Sequence, residues 1–328
     1  TLGAFDATGS FQLTDTNALV IAGAVRGSSV RITGQNSNGI TLGSATTAGT
    51  LTAENGGTIS LITDVLATRA ASAANGTLSA SGGVIEIAPN TVATLGLEAA
   101  ASAAVLGFAP GTFTLSATTL RLGAAVGEVK AANITALTAS APSGVSTLDL
   151  QAGTSISVTA GVTASSAVRL SATNVSLGAA GKLVVGSGGT ISLAADSLTS
   201  AANTAELTAP SGVIEVAALT VPNIGLETAA GATVLGFSPS GFTMSAGTLR
   251  LGGVAGAVGT AAINVTSSTD LTVAGHGAGT LDLRTTGAVT QTAGQALKVA
   301  TLGGTAGSVT LGEGGNSIAA LATLAGLV

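Results

Sequence analysis

Short runs of alternating apolar and polar residues recur along the whole chain. They include Phe11-Gln-Leu-Thr, Val30-Arg-Ile-Thr, Val84-Ile-Glu-Ile, Thr147-Leu-Asp-Leu, Val168-Arg-Leu-Ser and Val309-Thr-Leu. A period of two sends alternate side chains to one face, and the β-branched residues that fill these runs suit a pleated strand. Gly, Ser, Asn or Ala-Pro bounds each run, marking turns. No long stretch carries a capped helical stripe. The alanine-rich segments Ala67–Ala74 and Glu98–Ala104 have helix propensity but no amphipathic face, and they read as loops or flat turns.

Repetition lies over this alternation at two scales. Gly83-Val-Ile-Glu-Ile returns as Gly212-Val-Ile-Glu-Val, and Thr119-Leu-Arg-Leu-Gly returns at Thr248 with the same offset. Gly57-Thr-Ile-Ser-Leu returns at Gly189 with a slightly longer offset, so small insertions fall in the turns between. The duplication covers approximately residues 30–140 and 168–270. A shorter theme appears three times, in which Leu-Gly precedes one phenylalanine and a second follows shortly after. It holds all six phenylalanines: Phe5, Phe11, Phe108, Phe113, Phe237 and Phe242. They read as core anchors at the widest coils. Near residue 318 the theme restarts, at Leu321-Ala-Thr-Leu324.

This pattern predicts an all-β chain, a single-stranded parallel β-helix (β-solenoid) running continuously over residues 1–328. At roughly 20–23 residues per coil it would have about 15 coils. Glu98 and Arg121 are one such coil length apart, and Glu227 and Arg250 repeat both residues and spacing. Each pair is therefore expected to meet across neighbouring coils as a salt bridge. Neither end carries an atypical capping repeat, so unpaired strand edges are expected there. Leu2, Phe5, Ile318, Leu321 and Leu324 are the candidates for end-to-end contact with another copy, or for continuation into a longer array.

Composition sharpens the picture. With 2% aromatic and 8% charged residues, against roughly 25% charged in ordinary domains, the chain lacks the bulky side chains of a thick core. A core of Leu, Val and Ile is narrow and grows by stacking. The net charge of −5 disfavours nucleic acid and anionic membranes as partners. The apolar run Ile318–Val328 falls well short of the ~20 residues that span a bilayer.

Candidate chemistry is sparse. No cysteine is present, and the one histidine, His276, sits between glycines as a turn residue. The usual transition-metal ligand sets are therefore missing, and no Gly-Gly-x-Gly-x-Asp calcium repeat occurs. No phosphate-binding glycine motif appears. The fifteen acidic residues are scattered, and Glu86/Glu215, Glu98/Glu227 and Asp149/Asp282 recur at matching places as scaffold positions do. A sugar-cleaving solenoid would need a carboxylate pair in an aromatic-lined groove, and Trp and Tyr are absent. The expectation is a non-enzyme with no cofactor and no metal.

The theme Leu-Gly-x-Phe … Gly-Ser-Phe-x-Leu-Thr-Asp … Leu-x-Ile-x-Gly resembles the repeats of bacterial filamentous-haemagglutinin-like exoproteins of the two-partner-secretion type. Ala288-Val-Thr-Gln-Thr-Ala-Gly-Gln-Ala-Leu and Asn316-Ser-Ile-Ala-Ala-Leu share the likeness. The resemblance implies a right-handed parallel β-helix, secreted or held at the surface of a Gram-negative cell, acting as a structural or adhesive rod. Its partners would be itself or a host or neighbouring-cell surface. The alternatives are a filament subunit stacked end to end in a matrix or biofilm fibre and, more remotely, a carbohydrate-active β-helix enzyme.

Overall fold

A computed structural model of the chain describes residues 1–325, apart from 36–38, 70–75, 138, 202–203, 255–256, 259 and 274–275. The described residues form β-strands joined by turns and short 3₁₀ segments such as Pro110–Thr112, with no α-helix among them. The protein is all-β, built from long parallel sheets. By internal contacts it divides into two units, Thr1–Ile156 and Ser157–Val328.

In the first unit one turn of chain supplies three strands, Ala24–Gly27, Val30–Gly34 and Ile40–Leu42. Each pairs in parallel with its counterpart in the next turn, Thr50–Ala53, Thr58–Ile62 and Leu66–Thr68. One turn later the first two strands merge into Gly76–Ala88, which pairs with both predecessors. Its register with the following strand, Phe113–Leu122, shifts between Ala80 and Val84. The alternation now has a physical meaning, because parallel register stacks like on like. Val30, Ile59, Ile85, Leu120 and Leu148 form one inward column, each 1% exposed or less. Ile32, Leu61, Ile87 and Leu122 form another, all fully buried. Burying each such side chain contributes about 1.5–3 kcal/mol.

The second unit is built alike. Val168, Ile191, Ile214, Leu249, Leu281 and Leu302 form its inward column on consecutive parallel strands. None is more than 2% exposed. Glycine is required where turns crowd: a Cβ on Gly83 would lie 2.0 Å from the Gly57 carbonyl oxygen, and one on Gly212 2.0 Å from that of Gly189.

Turn length is less even than the sequence pattern predicts. The register partners Phe11 and Val30 are one short turn apart, whereas Thr94 and Asn133 are separated by about twice as much chain. The long turns hold an extra loop. Thr94–Leu97 pairs with Val105–Phe108 on one side and with Asn133–Ala136 on the other. Asn223–Leu226 does the same with Val234–Phe237 and Ala262–Val265.

The phenylalanine theme marks those loops. Phe108, Phe113, Phe237 and Phe242 are buried, with ring centroids 5.5 Å apart in the first pair and 5.9 Å in the second. Phe5 and Phe11 depart from the anchor role. Their rings lie 5.1 Å apart, but Phe5 is 47% exposed and Phe11 is half-buried. Phe5–Asp6 pairs with Ala24–Gly27, and the described residues lay no further strand over it.

Two smaller expectations are corrected. His276 is not in a turn; it begins the strand His276–Arg284, with Met244 as its register partner. Ala67 belongs to the strand Leu66–Thr68, while residues 70–74 of that alanine-rich segment lie outside the described residues. The Glu98–Ala104 segment is a loop, as its composition predicts, pinned by a bridge between Ser102 and Val105.

Candidate functional site

The outward positions of the same strands carry the chain's most ordered polar chemistry. In the first unit Arg31, Ser60, Glu86, Arg121 and Asp149 are successive register partners. In the second, Arg169, Ser192, Glu215, Arg250 and Asp282 follow in the same order. Adjacent strands are ~4.8 Å apart, so neighbours in such a column touch.

Each column closes on a central arginine. Arg121 reaches Glu86 Oε1 through Nη1 at 2.8 Å and Asp149 Oδ2 through Nε at 2.8 Å. Ser60 Oγ donates to Glu86 Oε2 at 2.6 Å, and Gln151 Nε2 donates to Asp149 Oδ2 at 3.0 Å. In the second unit Arg250 pairs with Glu215 through Nη1 and with Asp282 Oδ2 through Nε at 2.8 Å. Ser192 Oγ donates to Glu215 Oε2 at 2.7 Å, and Arg284 Nε adds a 2.9 Å contact to Asp282 Oδ1.

These outward side chains are nonetheless buried: Glu86 and Asp149 are each 4% exposed, and Glu215 is 3% exposed. In the first unit a small antiparallel hairpin, Ala124–Ala125 with Glu128–Val129, follows the Arg121 strand and leans on this face. Its turn places Val126 at φ 57° and Gly127 at φ 78°. A β-branched residue in the left-handed region stores about 1–3 kcal/mol of strain. Here it aims the Val126 N–H at Glu86 Oε2, 2.8 Å away. A matching hairpin, Gly253–Val254 with Ala257–Val258, follows the Arg250 strand.

Burial alone would weaken both arginines' hold on their protons, but the carboxylates on either side outweigh it and raise the pKa. Burial pushes Asp282 up, while hydrogen bonds from Arg284 and Arg250 bring it below its ordinary value.

The expected bridges Glu98–Arg121 and Glu227–Arg250 do not form; each arginine is held by the two carboxylates of its column instead. The extra loop stretches the sequence separation from Glu86 to Arg121 to 35 residues, well beyond one regular coil. Glu98 (φ 58°) and Glu227 (φ 54°) sit in that loop's turn, donating backbone N–H to the carbonyls of Phe108 and Phe237 at 2.8 Å. The Glu227 carboxylate caps the next turn through the N–H and hydroxyl of Ser240.

A second duplicated device escaped the sequence reading. Asp64 Oδ1 accepts the backbone N–H groups of Asn90, Thr91 and Val92, and Oδ2 takes the Thr91 hydroxyl. Asp196 clamps Leu219, Thr220 and Val221 in the same way. The available signal was an aspartate followed by a threonine one turn later, present in both copies of the duplication. Burial raises both carboxyls, but the threonine hydroxyl and backbone donors overcome it and hold them below the ordinary carboxylate range.

A depressed folded-state pKa adds stability above the unfolded value and loses it as pH falls through the folded one. The denaturation midpoint is therefore expected to drop between about pH 5 and pH 2. Urea titrations of the wild type and of an Asp64→Asn, Asp196→Asn double variant check this. The variant should start lower and fall less; equal slopes would remove the clamps from the account.

The end-contact candidates are dispersed in character. Leu2 is half-buried and bridges to Ile21. Ile318 is half-buried opposite Val299, and Leu321 is 65% exposed opposite Leu302. Leu324 lies opposite Gly304, and its side chain is outside the described residues. Among the described residues no group of three or more His, Cys, Asp or Glu is placed to hold a metal ion.

The class these features define is an all-β protein of long parallel sheets with duplicated ionic columns on the outward face of the strands. No protein-family model, curated protein or solved structure matches the chain.

Proposed function

We propose that the chain is a non-enzymatic structural and adhesive β-solenoid, right-handed and of fewer coils than the roughly 15 that equal short turns would give, carried on the outside of a Gram-negative cell or secreted from it. The observation behind this reading is where the carboxylates go. Glu86, Asp149, Glu215 and Asp282 are bound to arginines, and Asp64 and Asp196 hold turns. Groups tied into a scaffold serve rigidity rather than proton transfer. Rigid stacked strands with few exposed charges suit a spacer that presents surfaces or domains at a distance. Handedness and the exported location rest on the resemblance to filamentous-haemagglutinin-like repeats.

A second reading, a filament subunit, is favoured by the exposed apolar residues Phe5 (47%) and Leu321 (65%) on strands with one described neighbour each. Covering them with a further turn, of this or another copy, would bury the apolar edge. Electron microscopy of the purified chain at rising concentration separates the two readings. Single short rods at every concentration support the spacer. Long fibres of one-rod width that disappear in a Phe5→Ser, Leu321→Ser double variant support the filament. Round particles would sink both.

A further inference from the structure

The two ionic columns differ at their heads. Arg169, at the head of the second, is exposed to water. Arg31, at the head of the first, is half-buried, and its Nε–H is shut off from solvent with no hydrogen-bond partner. An unsatisfied donor on a cation is among the costlier groups to bury. Arg31 also lines a cleft of about 370 Å³ on the outward face. Parallel register supplies the row Gln12–Arg31–Ser60, and Ser10, Ser29 and Thr58 line the cleft beside it, Ser29 Oγ donating to Ser10 Oγ at 2.8 Å. The strained tip of the hairpin, Val126, walls it next to Glu86.

The anions nearby are committed elsewhere. Glu86 is held by Arg121, Ser60 and the Val126 N–H. Glu128 is tied to Lys130 at 3.0 Å, and that bond, with a smaller contribution from Arg31, holds its carboxyl below the ordinary range. What remains is one guanidinium fork, beside an amide and a group of hydroxyls, in a space the size of a small-molecule site.

We propose that this cleft binds an acidic sugar, a uronic acid whose carboxylate sits on the Arg31 fork and whose ring hydroxyls meet Gln12 and the hydroxyls of Ser10, Ser29 and Thr58. A planar carboxylate takes the two terminal Nη–H groups of the guanidinium together, which a neutral sugar does not. The protein hydroxyls add donors and acceptors in both senses, which a polyol uses and a simple carboxylate leaves idle. The site stands apart from the rod reading, since a spacer with or without ligands would show the same stacking.

Isothermal titration of the full chain with D-galacturonate tests it, with D-galactose and acetate as the partial ligands. Galacturonate is expected to bind with a dissociation constant on the order of 1 mM or tighter, acetate at least about tenfold more weakly, and galactose not measurably. Arg31→Gln should weaken galacturonate at least about tenfold, while Arg169→Gln leaves it unchanged. Gln12→Glu places an internal carboxylate at the register partner of Arg31. It should abolish galacturonate binding while raising the melting temperature, which separates a filled site from a damaged fold even where Arg31→Gln fails to fold. No binding at about 50 mM galacturonate, equal affinity for acetate and galacturonate, or wild-type affinity in Gln12→Glu would each overturn the proposal.

Discussion

Arg121→Ala is expected to destabilise the first unit by about 3–5 kcal/mol, near the limit for a single substitution. The loss is not simply that of two ion pairs. Removing the guanidinium leaves Glu86 and Asp149, each 4% exposed, facing one another across an empty layer with no counter-charge. Desolvating a charge is costly, and in the native state Arg121 offsets that cost for both carboxylates at once. Chemical denaturation at neutral pH measures the effect, and Arg250→Ala should lose less, because Glu215 is stranded while Asp282 keeps Arg284. A triple replacement, Glu86→Met, Arg121→Met and Asp149→Leu, should recover most of the loss, since no buried charge then remains. Arg169→Ala, at an exposed column head, should change stability by no more than about 0.5 kcal/mol. An Arg121→Ala chain as stable as the wild type would mean water reaches the column and the carboxylates are not desolvated.

Phe237→Ala should cost about 3–5 kcal/mol, and Phe5→Ala about 1 kcal/mol or less. The two residues hold corresponding places in the repeated theme, so their side chains and local sequences are alike and their surroundings are not. Phe237 is fully buried against the ring of Phe242, and its removal opens a cavity that rigid stacked strands cannot close. Phe5 is 47% exposed and has its ring contact with Phe11, itself half-buried. Thermal unfolding of both variants tests the contrast, and equal losses would show that Phe5 is covered in solution by a further layer. That outcome would also favour the filament reading, because a second copy is one way to cover it.

Much of the fold was legible because parallel stacking repeats each position of one turn in the next. The alternation in Val30-Arg-Ile-Thr and Val84-Ile-Glu-Ile predicts which side chains face inward, and those residues are the buried columns. The recurrence of Glu86 as Glu215 and of Asp149 as Asp282 marked scaffold positions, and both pairs hold arginines. The partners were not legible. A spacing of one coil length joins Glu98 to Arg121 only if turns are equal, and the loop carrying Phe108 lengthens that turn. A loop leaves no mark on the alternating pattern around it, so register across it is invisible from one strand to the next.

The sequence by itself determined the strands, their inward faces, the duplication and the aliphatic character of the core. All of these follow from side-chain period and residue type, which are local properties. Only the tertiary structure decided which charges meet, that the outward carboxylate of Glu86 is buried beside a strained hairpin, and that the arginine lining a cleft has one guanidinium nitrogen without a partner. These depend on turn length and on what folds over a face, and both are set by contacts among residues far apart in the chain.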